Sequence, residues 1–257
     1  MSLHATAVID PAAVIGPDCR IGPYCVIGAG VELGAGCVLD SHVVLRGPMT
    51  LGARSRVHAF AVLGDAPQRK QPTEGALGVL HIGADCVVRE HVTVHRGNMQ
   101  GTRIGDRCLL MAGAHVAHDV HIGADVVIAN GVQLAGHVVV EDFVTMGGLA
   151  GVAQHVRVGE SAFVAAGAMC ERDVPPFVIV QGDRARVRAL NRVGLERRGV
   201  PAESLAALRA AFRVLYIRSA RAPREIQSSG DNAKTPRALC SDDPYVRRLL
   251  AVLDRES

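Results

Sequence analysis

Leu109-Leu110-Met111-Ala112-Gly113-Ala114-His115-Val116-Ala117-His118-Asp119-Val120-His121-Ile122-Gly123 carries two signals at once. Leu110, Val116 and Ile122 are three beats of a six-residue aliphatic rhythm, and between those beats stand His115, His118, Asp119 and His121. A six-residue period is neither the 3.6 of a helix nor the plain alternation of a strand. It is the mark of a parallel β-helix, in which short strands and tight turns follow one another around a coil. Each coil must stack on a neighbour to bury its aliphatics.

Working outward, the same beat runs without a slip from Leu3, Ile9 and Ile15 to Val57 and Leu63, and several of its aliphatics are followed at once by glycine. It stops at Gly64, where Asp65-Ala66-Pro67-Gln68-Arg69-Lys70 opens a loop, and resumes at Ile82, Val88 and Val94. A second, shorter break holds His95-Arg96-Gly97-Asn98-Met99-Gln100-Gly101; from Ile104 the rhythm continues to Val164. The spacing therefore predicts an all-β, left-handed parallel β-helix over 1–182, with loops at 65–80 and 95–103.

If three hexapeptides make one coil, residues eighteen apart stack in a column. Val116, Leu134 and Val152 then share a face, and across the breaks Val94 and Leu63 join them below, so both loops leave the coil at one corner. On that corner His118 has Gly136 and Gln154 above it, His137 and His155 form the adjoining column, and His95 lies one coil down. His4, His42, His58, His81, His91 and His121 are expected to be solvated polar residues. His118 is singled out because it precedes Asp119, faces a glycine and shares its corner with both loops. Three histidines from stacked coils could instead hold zinc with water in a fourth position; the two loops and the helical tail fit a larger ligand better.

Beyond Cys170 the character changes. Asp173-Val174-Pro175-Pro176-Phe177 ends the repeat and Val178 to Gln181 reads as a closing strand. Helical periodicity is expected from Arg186 to Arg198, stopping at Gly199. Pro201 opens a second helix with Leu205, Leu208, Phe212 and Leu215 on its apolar stripe, residues 222–238 make a loose connection, and Ser241-Asp242-Asp243-Pro244 caps a last helix through Leu253. Residues 183–257 are thus expected to form a small helical C-terminal domain.

Composition agrees with a narrow, regular interior: 49% of the 257 residues are hydrophobic, yet only 3% are aromatic and Trp is absent. A net charge of +3 is too mild to argue for nucleic acid. No apolar run approaches the length of a membrane span, and the N-terminus lacks the pattern of a signal peptide, so the expected location is the cytoplasm. Of the seven cysteines, Cys19, Cys25, Cys37, Cys86 and Cys108 each fall four places after a repeat aliphatic, where a small apolar residue is wanted; they are expected to be structural thiols.

Several motifs in order, His115-Val116-Ala117-His118-Asp119, Leu134-Ala135-Gly136-His137, Val92-Thr93-Val94-His95-Arg96-Gly97, Asp173-Val174-Pro175-Pro176-Phe177 and Gly194-Leu195-Glu196-Arg197-Arg198-Gly199, resemble the acyl-carrier-protein-dependent UDP-N-acetylglucosamine O-acyltransferases that begin lipid A synthesis. The resemblance covers nearly the whole chain. It implies a homotrimer with sites in the clefts between subunits, and transfer of a 3-hydroxyacyl chain from acyl carrier protein to the sugar 3-hydroxyl. It implies no metal or other cofactor. His118 matches the family's catalytic base, with Asp119 beside it to orient the ring, and Gly136 matches the main-chain donor to the oxyanion. Gln68, His95, His115, His137, Gln154, Asn191, Arg197 and Arg198 match positions that meet substrate or carrier, Lys70 stands one place early against the lysine of the family's first loop, and Ala166 matches the position that sets the depth of the hydrocarbon groove. Three departures bear on the acceptor: Arg69 stands where the family's first loop carries an acidic residue, Ala153 where it has histidine, and Val193 where it has glutamate. A paralogue that acylates another UDP-amino sugar on oxygen or nitrogen, a γ-carbonic anhydrase-like metal enzyme, and a β-helix scaffold or binding protein without turnover are the alternative readings.

Overall fold

The computed structural model describes residues 1–68, 70, 78–98, 100–218 and 242–253. The chain winds into a parallel β-helix of triangular section, whose three faces are sheets of eleven, nine and eight short strands. Most strands hold two residues, and successive coils pair in parallel at an eighteen-residue offset: Val116 pairs with Leu134, and Leu134 with Val152. Across the breaks Leu63 pairs with Val94 and Val94 with Val116, so both loops do leave the end of the second face at the same corner.

The repeat aliphatics point inward and lose all solvent contact; Leu45, Leu63, Ile82, Leu110, Ile128 and Leu134 are fully buried. Only the first coil fails to enclose its own, with Leu3 43% exposed because no coil lies beneath it. The cysteines occupy the inner corners as expected. Cys19, Cys25, Cys37, Cys86 and Cys108 are buried, and each thiol donates to a carbonyl of the next coil, as Cys25 does to Asp40 at 2.9 Å. Burial pushes the Cys37 and Cys170 thiols up to about 11, which keeps them protonated and inert.

Glycine after a beat serves close stacking. A Cβ on Gly34 would sit 2.5 Å from the main-chain nitrogen of Ala53 in the coil above. Many left-handed turn positions are filled by polar and aromatic residues, among them Asp119 (φ +58°), His137 (φ +61°) and His155 (φ +66°), and others by glycine, as at Gly113 and Gly131.

The C-terminal segment departs from expectation at one place. Val178–Gln181 is a strand, but Arg186–Leu190, read from the sequence as the start of a helix, is a strand that pairs antiparallel with it. The alternation Val187, Ala189 against Arg186, Arg188 fits a strand edge, and the open edge of the last coil supplies hydrogen bonds that an isolated helix start would lack. The helix α1 is confined to Arg192–Arg197, and Gly199 follows it at φ +74°. Helix α2 spans Ala202–Phe212 and continues as a π-helical segment, Arg213–Arg218. Helix α3 spans Pro244–Leu253; Asp243 caps it by accepting from the main-chain nitrogens of Tyr245 and Val246. Phe177, buried completely, seats these helices through Leu195, Val200, Leu208, Val246 and Leu249. The expected loose connection at 222–238 and Ser241 lie outside the described residues, as do 69 and 71–77 of the first loop. No described helix is long and apolar enough to cross a membrane.

Candidate active site

The corner between the second and third faces gathers the histidines. The strand His115–Val116 ends there, and the chain turns through His118 and Asp119 into His121–Ile122. The positive φ of Asp119 breaks the strand alternation that would send neighbouring side chains apart. Its Oδ2 therefore lies 2.9 Å from Nδ1 of His118. The coil above carries Gly136 and His137 in the same turn; the amide of His137 donates to the His118 carbonyl, and that of His155 to the Gly136 carbonyl. The imidazoles of His118 and His137 meet edge to face at 5.2 Å, and those of His137 and His155 stack at 4.7 Å.

Asp119 is 5% exposed, and three donors approach its carboxylate. Burial alone would raise its pKa, but donation from His118, from the main-chain and side-chain nitrogens of Asn98, and the nearby His137 charge lower it to about 2. A carboxylate this acidic is a pure acceptor at neutral pH, so Nδ1 of His118 must carry the proton that lies between them. That fixes the tautomer and leaves Nε2 as a bare lone pair. Nε2 faces Gly136: a Cβ on that glycine would come within 2.9 Å of it and within 2.7 Å of Cε1. The amide of Gly136 donates to no main-chain carbonyl among the described residues. A basic nitrogen and an uncommitted amide donor thus stand one coil apart, around a space that the missing side chain leaves open.

His95 and His115 lie one face inward from this corner, their rings edge to face at 5.1 Å. Burial lowers the pKa of both, and for His115 the neighbouring His95 adds to the effect. Each is therefore neutral at pH 7, and His115 also bonds Thr93 Oγ1 at 2.7 Å. A shallow groove of about 540 Å³ runs from His115 up the second face over Ala117, Ala135, Gly151, Ala153 and Met169. Its floor is small and apolar. Ala166 lies in the exposed turn at the opposite end of that face from the His118 corner. Gln154 is exposed above His118 and Gly136, and Gln68 and Lys70 are exposed in the first loop.

Asn191, Arg197 and Arg198 are not brought to this corner within one chain. They line a separate pocket on the first face with Phe143, Thr145 and Phe163. Asn191 is 7% exposed and its amide caps α1, accepting from Gly194, while its Nδ2 donates to the Ser161 carbonyl. Arg198 lies 3.8 Å over the Phe143 ring, pairs with Glu160 at 2.8 Å and donates to Ser161 Oγ. Arg197 is exposed beside them, as is Val193.

His118, Asp119 and His137 also form a group whose nitrogen and oxygen atoms lie within 4.8 Å of one another, a spacing that could hold a metal ion. The donor set fits a metal poorly, since the Asp119 oxygens already accept from Asn98 and His118. Sequence reading missed two residues here. Asn98 lies in the second break and carried no periodic signal, and Thr102, fully buried, accepts from the main-chain nitrogen of Asp119 at 2.9 Å.

Comparison with known proteins bears on the whole arrangement. Residues 2–35 and 101–136 match the bacterial transferase hexapeptide family, and residues 173–257 match the second domain of UDP-N-acetylglucosamine O-acyltransferase. The chain is 41% identical to the acyl-[acyl-carrier-protein]–UDP-N-acetylglucosamine O-acyltransferase of a Synechocystis strain, over 84% of this chain and 75% of that one. It is 45% identical to the enzyme of the same name from an Anaeromyxobacter strain, over 84% and 85%. The chain belongs to the UDP-N-acetylglucosamine O-acyltransferase family. Its fold superimposes on the crystal structure of the UDP-N-acetylglucosamine O-acyltransferase of Moraxella catarrhalis with a TM-score of 0.87 at 32% identity, covering 99% of this chain and 97% of that one. The carbonic-anhydrase alternative is not favoured by these likenesses. Of the three departures from the O-acyltransferase pattern, Ala153 and Val193 are exposed and Arg69 lies outside the described residues.

Proposed function

We propose that this protein transfers a 3-hydroxyacyl chain from acyl carrier protein to the 3-hydroxyl of UDP-N-acetylglucosamine, the first step of lipid A synthesis, and that it does so in the cytoplasm. The observation that carries the reading is the His118 ring, tied at Nδ1 to Asp119 and presenting Nε2 to the open space at Gly136. A sugar hydroxyl is a poor nucleophile at neutral pH. Nε2 takes its proton as the oxygen attacks the thioester carbonyl, and the Gly136 amide donates to the oxyanion that forms. Collapse of that intermediate breaks the carbon–sulfur bond, and the proton returns from His118 to the leaving thiolate of the carrier. The ester and a free thiol are the products.

Asp119 holds the imidazole in the useful tautomer and steadies its charge once protonated. His137 and Gln154 rim the opening, and neutral His95 and His115 offer hydrogen bonds without competing for the proton. The groove across the second face suits a hydrocarbon chain. Asn191, Arg197 and Arg198 serve the same reaction from a neighbouring subunit of a homotrimer: they occupy a different corner of the β-helix, and a cleft between two copies is the arrangement that brings both sets to one substrate. Positive charge from Arg197, with Arg192 and Arg188 nearby in sequence, suits phosphates and an acidic carrier.

The test is direct. Wild-type enzyme is incubated with a panel of acyl-carrier-protein thioesters and UDP sugars, and products are identified by mass. A 3-O-acylated UDP-N-acetylglucosamine is expected, and turnover should fall at least 10²-fold in a folded His118→Ala variant, the usual contribution of a general base. An N-acylated product would move the protein to the paralogue reading. Near-normal turnover in His118→Ala would refute the assigned base.

A further inference from the structure

The second loop leaves the coil after His95 and rejoins it at Thr102, and both of its ends grip Asp119. Thr102 Oγ1 accepts from the Asp119 main-chain nitrogen at 2.9 Å, fixing the turn. From the other end, the Asn98 amide approaches the two carboxylate oxygens at 3.0 and 3.1 Å, and Asn98 Nδ2 donates to Oδ2 at 3.1 Å. Gly97 lets the loop press this close, since a Cβ there would stand 2.4 Å from Asp119 Oδ1. Asn98 Nδ2 also lies 3.2 Å from His118 Nδ1. Two donors facing one another there leave Nδ1 no acceptor but the carboxylate.

We infer that Asn98 is a positioning residue for the acyl transfer: its side-chain amide locks the Asp119 carboxylate in the rotamer that accepts from His118 Nδ1, and so keeps Nε2 turned toward Gly136. The inference rests on the proposed role of His118. Its geometry does not depend on which sugar is acylated. Oδ2 takes three hydrogen bonds, from His118 Nδ1, Asn98 N and Asn98 Nδ2, and only the last belongs to a side chain that can be removed without touching the dyad. The loop main chain keeps its own hold on Asp119 when that side chain is shortened, so the variant tests orientation rather than folding.

Two measurements decide the matter. In steady state with acyl-carrier-protein thioester and UDP-N-acetylglucosamine, Asn98→Ala should lower kcat about tenfold or more, in the range of one hydrogen bond to a charged group, with KM for both substrates unchanged. Asn98→Asp, which sets a second carboxylate against the first, should lose more. In an Asp119→Asn background, Asn98→Ala should add less than a twofold loss, because the carboxylate that it orients toward His118 has been replaced. The second measurement needs no substrate: imidazole nitrogen NMR of the resting enzyme, with His118 assigned by its own substitution, should find the Nδ1–H tautomer alone in the wild type and a mixture in Asn98→Ala. Failure of the wild type to turn over these substrates would count against the proposed function, and the tautomer measurement would still judge Asn98. A full kcat in Asn98→Ala, a loss confined to KM, or an unchanged tautomer would each overturn the inference.

Discussion

Nδ1 of His118 lies 2.9 Å from Oδ2 of Asp119, its own neighbour in the chain. In a regular strand that contact is impossible, because successive side chains leave opposite faces. The β-helix corner makes it possible by holding Asp119 at φ +58°, which swings the carboxylate back over the preceding residue. The β-helix thus supplies the dyad as a local consequence of its turn, and the adjacent loop secures it.

Asp119→Asn should therefore disable the base while leaving the coil intact. The amide of Asn98 still requires an acceptor, so the new side chain turns its oxygen toward Asn98 and its NH₂ toward His118. A donor facing Nδ1 moves the ring proton to Nε2, the nitrogen that must be bare. Loss of a general base is worth about 10²–10⁴-fold, and kcat should fall within that range. Steady-state kinetics with a thermal melt as folding control check this; a variant retaining more than a tenth of wild-type kcat would count against the tautomer argument.

Gly136→Ala isolates the approach of the substrate. Its new Cβ would come 2.7 Å from Cε1 of His118, which forces the ring aside because the glycine main chain is packed and the ring is the softer partner. Gly136 is not at a positive φ, so the alanine itself is unstrained. Turnover should drop by about 10²-fold or more, the scale of a displaced general base, while the melting temperature moves little. A crystal structure of the variant with His118 undisturbed would contradict the cause.

The fold was legible in the sequence because a six-residue beat has only one regular structure that satisfies it, and the positions of Leu63, Val94 and Val116 suffice to locate the loop corner. The His118 column followed from the same arithmetic. What the beat does not encode was lost: Arg186–Leu190 lies past the last coil, where arginines and aliphatics fit a helix as well as an edge strand, and pairing with Val178–Gln181 chose the strand. Asn98 sits in an insertion, outside any period, and its reach back to Asp119 depends on the loop's path. The closeness of His118 to Asp119 is likewise outside the beat, because it depends on the positive φ that the turn imposes on Asp119.

Acid should remove part of the stability through Asp119. Its folded pKa of about 2 lies below the unfolded value of about 3.9, so its contribution is fully present above pH 4 and is lost as pH falls toward 2. The shift corresponds to something on the order of 2 kcal/mol. Chemical denaturation of wild type and Asp119→Asn should differ most above pH 5, and the difference should shrink below pH 3. A difference independent of pH would mean the carboxylate is not held by its partners in the folded state.

Chain-length selectivity offers the last test, because it probes the far end of the substrate. Ala166 lies at the opposite edge of the second face from His118 and three coils higher, about 14 Å along the axis at the strand spacing of a sheet. The face between is paved with Ala117, Ala135, Gly151 and Ala153, small residues that leave a hydrocarbon room to lie flat. Ala166 is exposed in its turn, so a longer side chain there projects outward from the β-helix rather than into the packed interior. Ala166→Met should accordingly leave folding intact and shorten the preferred acyl chain, since a bulky side chain excludes the terminal methylenes. Each methylene denied its apolar contact is worth about 0.8 kcal/mol, or roughly a fourfold change in kcat/KM, so excluding two should alter the preference between chains by more than tenfold. Competition between acyl-carrier-protein thioesters of different length in one reaction reads the ratio directly, and an unchanged ratio would locate the limit of the groove elsewhere.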